Sequence, residues 1–374
     1  MNNDIRFEDY KYYPKLRTRA AELNGLRHLS DARKDKIIPI ITAGKWPRAT
    51  SFESGINKVT EFFPNRPFFL DLTDELNTFS DEQAILKNPT NNYQNWREYV
   101  RQFPSAIPIT QLNRQANLRD FVMQARLCEQ EFGKVAFIIH DYVRDIEYIT
   151  GALSSLDEVD NAIVFIDSKY IRNSYSAVLA ANIQTINAIR EDVPDANIST
   201  LATSFPSSLA SFTNNTHKTQ GVIDILERQL HEELGGYNVV SYGDYASIHG
   251  IIYDDAPEVM RWTARVDFPA EQYWQFERRP KGSVSPTSTG TTKADFQHAA
   301  QAIFSANPDI AYSDIWGENI IMQTATNPDF DGIGFGPAAW ISVRVNIHLS
   351  KQIDYSENLF NEDELEWDED SDLF

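Results

Sequence analysis

Val135-Ala-Phe-Ile-Ile139 and Ala162-Ile-Val-Phe-Ile166 are continuous apolar runs, each shorter than a helix needs and each followed by a stretch with helical spacing. A strand that is apolar without alternation is buried on both faces, which is the condition of a parallel strand inside an α/β protein. Working outward, the same unit recurs eight times, with strands read at Tyr12–Arg17, Ile37–Thr42, Pro67–Leu72, Ala106–Gln111, Val135–His140, Ala162–Asp167, Asn197–Thr203 and Asn238–Tyr242. Parallel pairing needs crossovers, and Leu118–Leu127, Tyr175–Ile189 and Val222–Leu234 carry apolar residues three and four apart, as helices do. Ser80-Asp-Glu-Gln83 reads as a capping box and Gly235-Gly236 as a helix stop. The pattern predicts a (β/α)8 TIM-type barrel. Its rival is an open doubly wound sheet, but no GxGxxG or GxxxxGK[ST] follows any strand, which weakens that rival's usual nucleotide functions.

After Tyr242 the rhythm changes. Trp262-Thr-Ala-Arg-Val-Asp-Phe268 alternates and Tyr273-Trp-Gln-Phe-Glu-Arg-Arg279 reads as its hairpin partner; a helix is predicted over Lys293–Ala306, then an apolar segment over Ala338–Leu349. The expected organisation is a barrel over residues 1–250, a C-terminal α/β elaboration packed on it over 251–353, and an acidic disordered tail over 354–374.

Charge is divided unevenly. Of the net −20 carried by 374 residues, the stretch from Asp354 to Phe374 holds ten acidic residues and no Lys or Arg, leaving −10 for the rest. A body that acidic lacks the surplus of cations that phosphate neutralisation requires, which argues against broad nucleic-acid binding. The opening residues carry charge where a secretory signal needs an apolar core, and no run is long and apolar enough to span a membrane. A cytoplasmic protein without membrane association is therefore expected. Cys128 stands alone in an amphipathic stretch and reads as core.

Several stretches resemble one family. Tyr13-Pro-Lys-Leu-Arg-Thr-Arg-Ala-Ala-Glu-Leu23 with Ile38-Pro-Ile-Ile41, Tyr242-Gly-Asp-Tyr-Ala246, Tyr312-Ser-Asp-Ile-Trp-Gly317 and Trp340-Ile-Ser-Val-Arg-Val-Asn-Ile-His348 are similar to the bacteriophage "beta protein" family, also found in bacterial genomes. The departures are Arg17, where the family's opening usually has Lys, and the lone His348, where paired histidines are frequent. The resemblance implies a phage or phage-defence setting and carries over no catalytic residues.

In a barrel of this kind, polar side chains at the C-terminal ends of the strands converge on one mouth. Asp71, His140, Asp167 and Lys169 are the candidate catalytic set, a His between carboxylates being suited to general-base work; Arg17, Trp46, Tyr242 and Asp244 are the candidate ligand-binding set. The competing reading is structural: an Asp after a strand commonly caps the next helix, and Asp167 can pair with Lys169 or Arg17. The seven histidines show neither HxH nor HExxH spacing, so no metal site is assigned, and a magnesium ion on Asp71 and Asp167 would need a substrate phosphate to complete its shell. Arg261, Arg265, Arg278, Arg279 and Lys281 interleave with Trp262, Trp274 and Phe276, a pattern that either docks a short nucleic acid or nucleotide or packs one face of a hairpin. The tail offers Trp367, Leu373 and Phe374 as anchors and resembles the acidic tips of single-stranded DNA-binding proteins. Two functions compete: recognition of a phage or host protein through the mouth or tail, and hydrolysis of a nucleotide or other phosphate ester at the mouth. The cofactor is left unassigned.

Overall fold

The computed structural model describes residues 4–75, 78–113, 116–212, 219–250, 263–279 and 293–371, with side chains beyond Leu359 excepted. In chain order the strands are β1 (Tyr12–Arg17), β2 (Ile40–Ala43), β3 (Phe68–Leu72), β4 (Ala106–Pro108), β5 (Val135–Ile139), β6 (Ala162–Tyr170), β7 (Asn197–Thr203), β8 (Gln220–Asp224), β9 (Tyr242–Asp244), β10 (Ala264–Pro269) and β11 (Tyr273–Arg279). Eight of them form a parallel sheet in the order β4-β3-β2-β1-β9-β7-β6-β5. A single parallel bridge, Ile109 to Ala136, joins the two ends and makes the sheet a barrel. The helices between barrel strands are α1 (Ala20–Arg27), α2 (Asp31–Lys34), α3 (Glu53–Phe62), α4 (Ser80–Leu86), α5 (Thr90–Val100), α6 (Leu118–Phe132), α7 (Tyr142–Leu153), α8 (Tyr175–Asp192) and α9 (Leu226–Glu233); α10 (Lys293–Ala306), α11 (Trp316–Thr326) and α12 (Pro337–Ser371) follow.

Alternation along β1 explains the interior. Tyr13 points inward and meets Phe69 of β3 and Phe165 of β6 at ring-centroid distances of 6.0 and 5.5 Å. Phe7, from a short turn before β1, lies 5.7 Å from Phe69, and its carbonyl accepts a bond from the Tyr13 hydroxyl. With Ile40, Ile107, Ile163 and Leu201, these rings fill the lower half of the barrel. Tyr12 and Leu16 point the other way, into the layer between the strands and the helices. That outer layer divides into one core under β1–β4 and another under β5–β7.

Two readings of the sequence need correction. The helix expected over Val222–Leu234 is split into β8 and α9: Ile223 is buried while Val222 is 59% exposed, a period of two that belongs to a strand. The eighth barrel strand begins at Tyr242, where it was expected to end, because Gly236–Asn238 forms a 3-10 turn. Antiparallel β8, β11 and β10 make a separate sheet, and the expected hairpin from Ala264 to Arg279 is its core.

Helix α12 binds these parts together. Asn346 donates to the Gly25 carbonyl of α1, Arg228 of α9 donates to Gln352 and Ser356, and Arg33 of α2 pairs with Asp354 at 2.8 Å. The first residues of the expected tail are thus docked. Of the tail anchors, the Trp367 side chain and all of Leu373 and Phe374 lie outside the described residues.

Candidate functional site at the barrel mouth

Above the aromatic floor the inward positions become charged. Following Tyr13, the next inward residues of β1 are Lys15 and Arg17; following Phe69 comes Asp71, and following Phe165 comes Asp167. With His140, Lys169, Thr42, Glu22, Asp74 and Tyr245 they line a cavity of about 90 Å³ at the C-terminal ends of the strands.

Asp167 is its hub. Its side chain is fully buried; Oδ2 lies 2.9 Å from Lys15 Nζ and 3.4 Å from His140 Nδ1. Oδ1 accepts the Tyr245 hydroxyl at 2.5 Å and the Lys169 amide at 3.1 Å. Burial raises the energy of this carboxylate, but Lys15, His140 and Tyr245 outweigh it and hold its pKa far below the usual carboxylate range. Burial likewise opposes charge on Lys15, and Asp167 with Asp71 reverses the effect, so the ammonium titrates above its ordinary value. Lys15 is a locked cation rather than an amine nucleophile.

The remaining groups are less constrained. Asp71 faces Lys15 Nζ at 4.0 Å and the Thr42 hydroxyl at 3.4 Å, leaving acceptor capacity toward the cavity. Arg17 is paired with Glu22 at 3.0 Å, and Asp74 with Lys87. Lys169 stands exposed at the rim in the left-handed region, φ +52°, where β6 makes a register shift against β7. That bulge aims its amide at Asp167, and the residue lines the cavity. His140 is partly exposed; with Nδ1 toward Asp167, its Nε2 is the nitrogen left for a ligand.

All four residues of the candidate catalytic set, and Arg17, therefore meet in one cavity. Trp46, Tyr242 and Asp244 do not line it. Trp46 packs against the outer core, and the alternation of β9 sends Tyr242 and Asp244 outward while Tyr245 turns inward. Lys15 and Tyr245 were missed by the sequence reading. Inward alternation of Tyr13, Lys15 and Arg17 was the available signal for the first. Asp141 and Asn117 are helix caps, accepting from Arg144 and Asp120 amides.

Of the hairpin arginines, Arg265 pairs with Asp267 and Arg279 with Glu277, and Trp274 and Phe276 are buried, as the packing reading expects of them; Arg261, Trp262 and Lys281 lie outside the described residues. Among the described residues no group of three or more His, Cys, Asp or Glu is placed to hold a metal. The Lys15 ammonium occupies the space between Asp71 and Asp167 where a cation would stand. No helix among the described residues is long and apolar enough to cross a membrane.

Fold and site define an α/β barrel protein with a charged, partly self-neutralised mouth. The chain belongs to the Beta protein family, whose model matches residues 12–354. It is 42% identical over 363 residues to "Protein beta" of Enterobacteria phage P4, the alignment covering 96% of this chain and 98% of that one. No solved structure matches it.

Proposed function

We propose that the barrel mouth binds a small ligand carrying a phosphate-type group and that His140 removes a proton from the water that hydrolyses its ester. The observation that carries this reading is the contact of His140 Nδ1 with the buried Asp167 carboxylate, which leaves Nε2 to act as base at the cavity. Lys169 supplies an exposed cation at the rim, suited to an anionic group. Water oxygen bonds to phosphorus as His140 takes its proton, and the ester oxygen leaves with a proton from solvent. Kinship with a phage P4 protein supports a phage-related setting for this activity, and the reading takes a phage or host molecule as the affected party.

The test is release of inorganic phosphate from nucleoside mono-, di- and triphosphates and sugar phosphates, followed by ³¹P NMR. His140→Gln should stop release and leave the melting temperature in place, because the ring is at the surface of the cavity. Undiminished release in that variant, or no release by the wild-type chain from any of these esters, would reject hydrolysis at this mouth.

A further inference from the structure

Two stretches that stand 104 residues apart in sequence meet behind the mouth. His348 Nε2, on α12, lies 2.6 Å from Oδ2 of Asp244 at the end of β9, with both side chains fully buried. Asp244 also accepts the Tyr12 hydroxyl at 2.6 Å, the Tyr242 hydroxyl at 2.9 Å and the Ala246 amide at 2.8 Å. The chain then turns sharply. Ala246 and Ser247 are consecutive non-glycine residues in the left-handed region, φ +47° and +63°. A Cβ is disfavoured in this region, so the turn persists only where its surroundings enforce it.

Ala246 and Ile248 are packed in the outer core, and three hydrogen bonds hold the backbone. They are the Asp244 carboxylate on the Ala246 amide, the Tyr245 carbonyl on the Ile248 amide, and the Thr203 hydroxyl on the Ile248 carbonyl. Tyr245 lies inside this turn, and its hydroxyl is the bond that closes over Asp167 in the mouth. A continuous path therefore runs from α12 to the candidate base: His348, Asp244, the strained turn, Tyr245, Asp167, His140.

We infer that His348 is a positioning residue for the mouth, holding Asp244 so that the 244–247 turn keeps the Tyr245 hydroxyl on Asp167 and Asp167 on His140. The inference rests on the reading of the mouth given above and adds that α12, from outside the barrel, sets the geometry of its site. His348 itself touches no ligand.

The experiment uses the full chain labelled with [¹⁵N]histidine and [¹³Cζ]tyrosine, with His140→Gln and Tyr245→Phe providing the assignments. His348→Leu, which fills the space without a donor, should move both the Tyr245 and the His140 resonances and lower phosphate release roughly ten- to a hundredfold. His348→Gln, whose amide can donate to Asp244, should restore both. A His348→Leu protein with unchanged far-UV circular dichroism and both resonances at their wild-type positions overturns the inference. If that variant does not fold, Asp244→Asn is read by the same two resonances and the same criterion. Because the spectra need no substrate, a wild-type chain that releases no phosphate defeats the hydrolase reading alone, and the positioning role still stands or falls on the resonances.

Discussion

At the scale of single residues, the fold buries charge beside its site and has to compensate it. Lys15 and Asp167 are a buried pair, and removing one partner leaves the other ionised without compensation. Asp167→Asn is therefore expected to cost about 3–5 kcal/mol of stability as well as any activity, and adding Lys15→Met should recover much of that loss. Urea unfolding midpoints of the single and double variants check this; equal midpoints would mean the pair is not coupled. Glu227 presents the opposite case. Burial is the first cause that pushes its pKa up to about 7, the Asp244 charge adding to it and the bonds from Ser204 opposing. The unfolded carboxyl ionises near 4.3, so between that value and about 7 the folded state holds more protons, and stability falls as pH rises through this window. Glu227→Gln should gain on the wild type at about pH 8, by up to a few kcal/mol, and not at about pH 4. A constant difference between the two across the window would show that Glu227 does not titrate there. Of these residues only Asp167 was legible in the sequence, because it ends an apolar run. Lys15 lies within a strand and Glu227 within a helix, where burial of a charge follows from which neighbours the barrel brings to it.

At the scale of elements, the apolar runs marked most strands closely, and β1 and β7 match to the residue. Continuous hydrophobicity identifies strands buried on both faces, which is the situation of β5 and β6. Signals failed where an element is short or lies at an edge: β8 has an exposed, alternating face, and β9 holds only Tyr242–Asp244. What fits β9 into the barrel is glycine. A Cβ on Gly243 would come within 2.4 Å of the Thr200 carbonyl oxygen and 2.9 Å of that of Tyr13, both main-chain atoms that cannot yield separately. Gly243→Ala should cost stability at the upper end of about 1–3 kcal/mol and loosen β9 from both neighbours. Thermal melts would measure the cost, and a neutral substitution would mean that β9 is less tightly wedged than its contacts indicate. The candidate site inherits this dependence, since Tyr245 leaves β9 one residue after its end.

At the scale of the whole molecule, α12 belongs to the folded body well past the point where the acidic composition begins. Charge patterning alone places the tail at Asp354, but Asp354 and Glu357 meet Arg33 and Lys36, and Ser356 meets the buried Arg228. Acidic residues next to an unseen basic surface are indistinguishable in sequence from a solvated run, which is why this boundary was not readable. Deleting everything after Ser350 should strip Arg228 of Gln352 and Ser356 and lower the melting temperature markedly, whereas deletion after Leu359 should leave it near that of the full chain. Equal melting of the two truncations would contradict the docking of residues 351–358.

The barrel wall is fastened unevenly. β5 and β6 share a five-residue ladder and β6 continues into β7, yet β4 meets β5 only through the Ile109–Ala136 bridge, with the Thr110 amide on the Ala136 carbonyl. Each side of that line has its own outer core. Fluctuations of the native protein should therefore part the wall there, and in hydrogen–deuterium exchange the Thr110 amide should lose its protection well before those in the middle of β6. An opening of this kind widens the mouth between Asp71, on β3 beside β4, and His140, just past the end of β5. Guests larger than the resting cavity would then have an entrance through the wall, timed by breathing of the barrel.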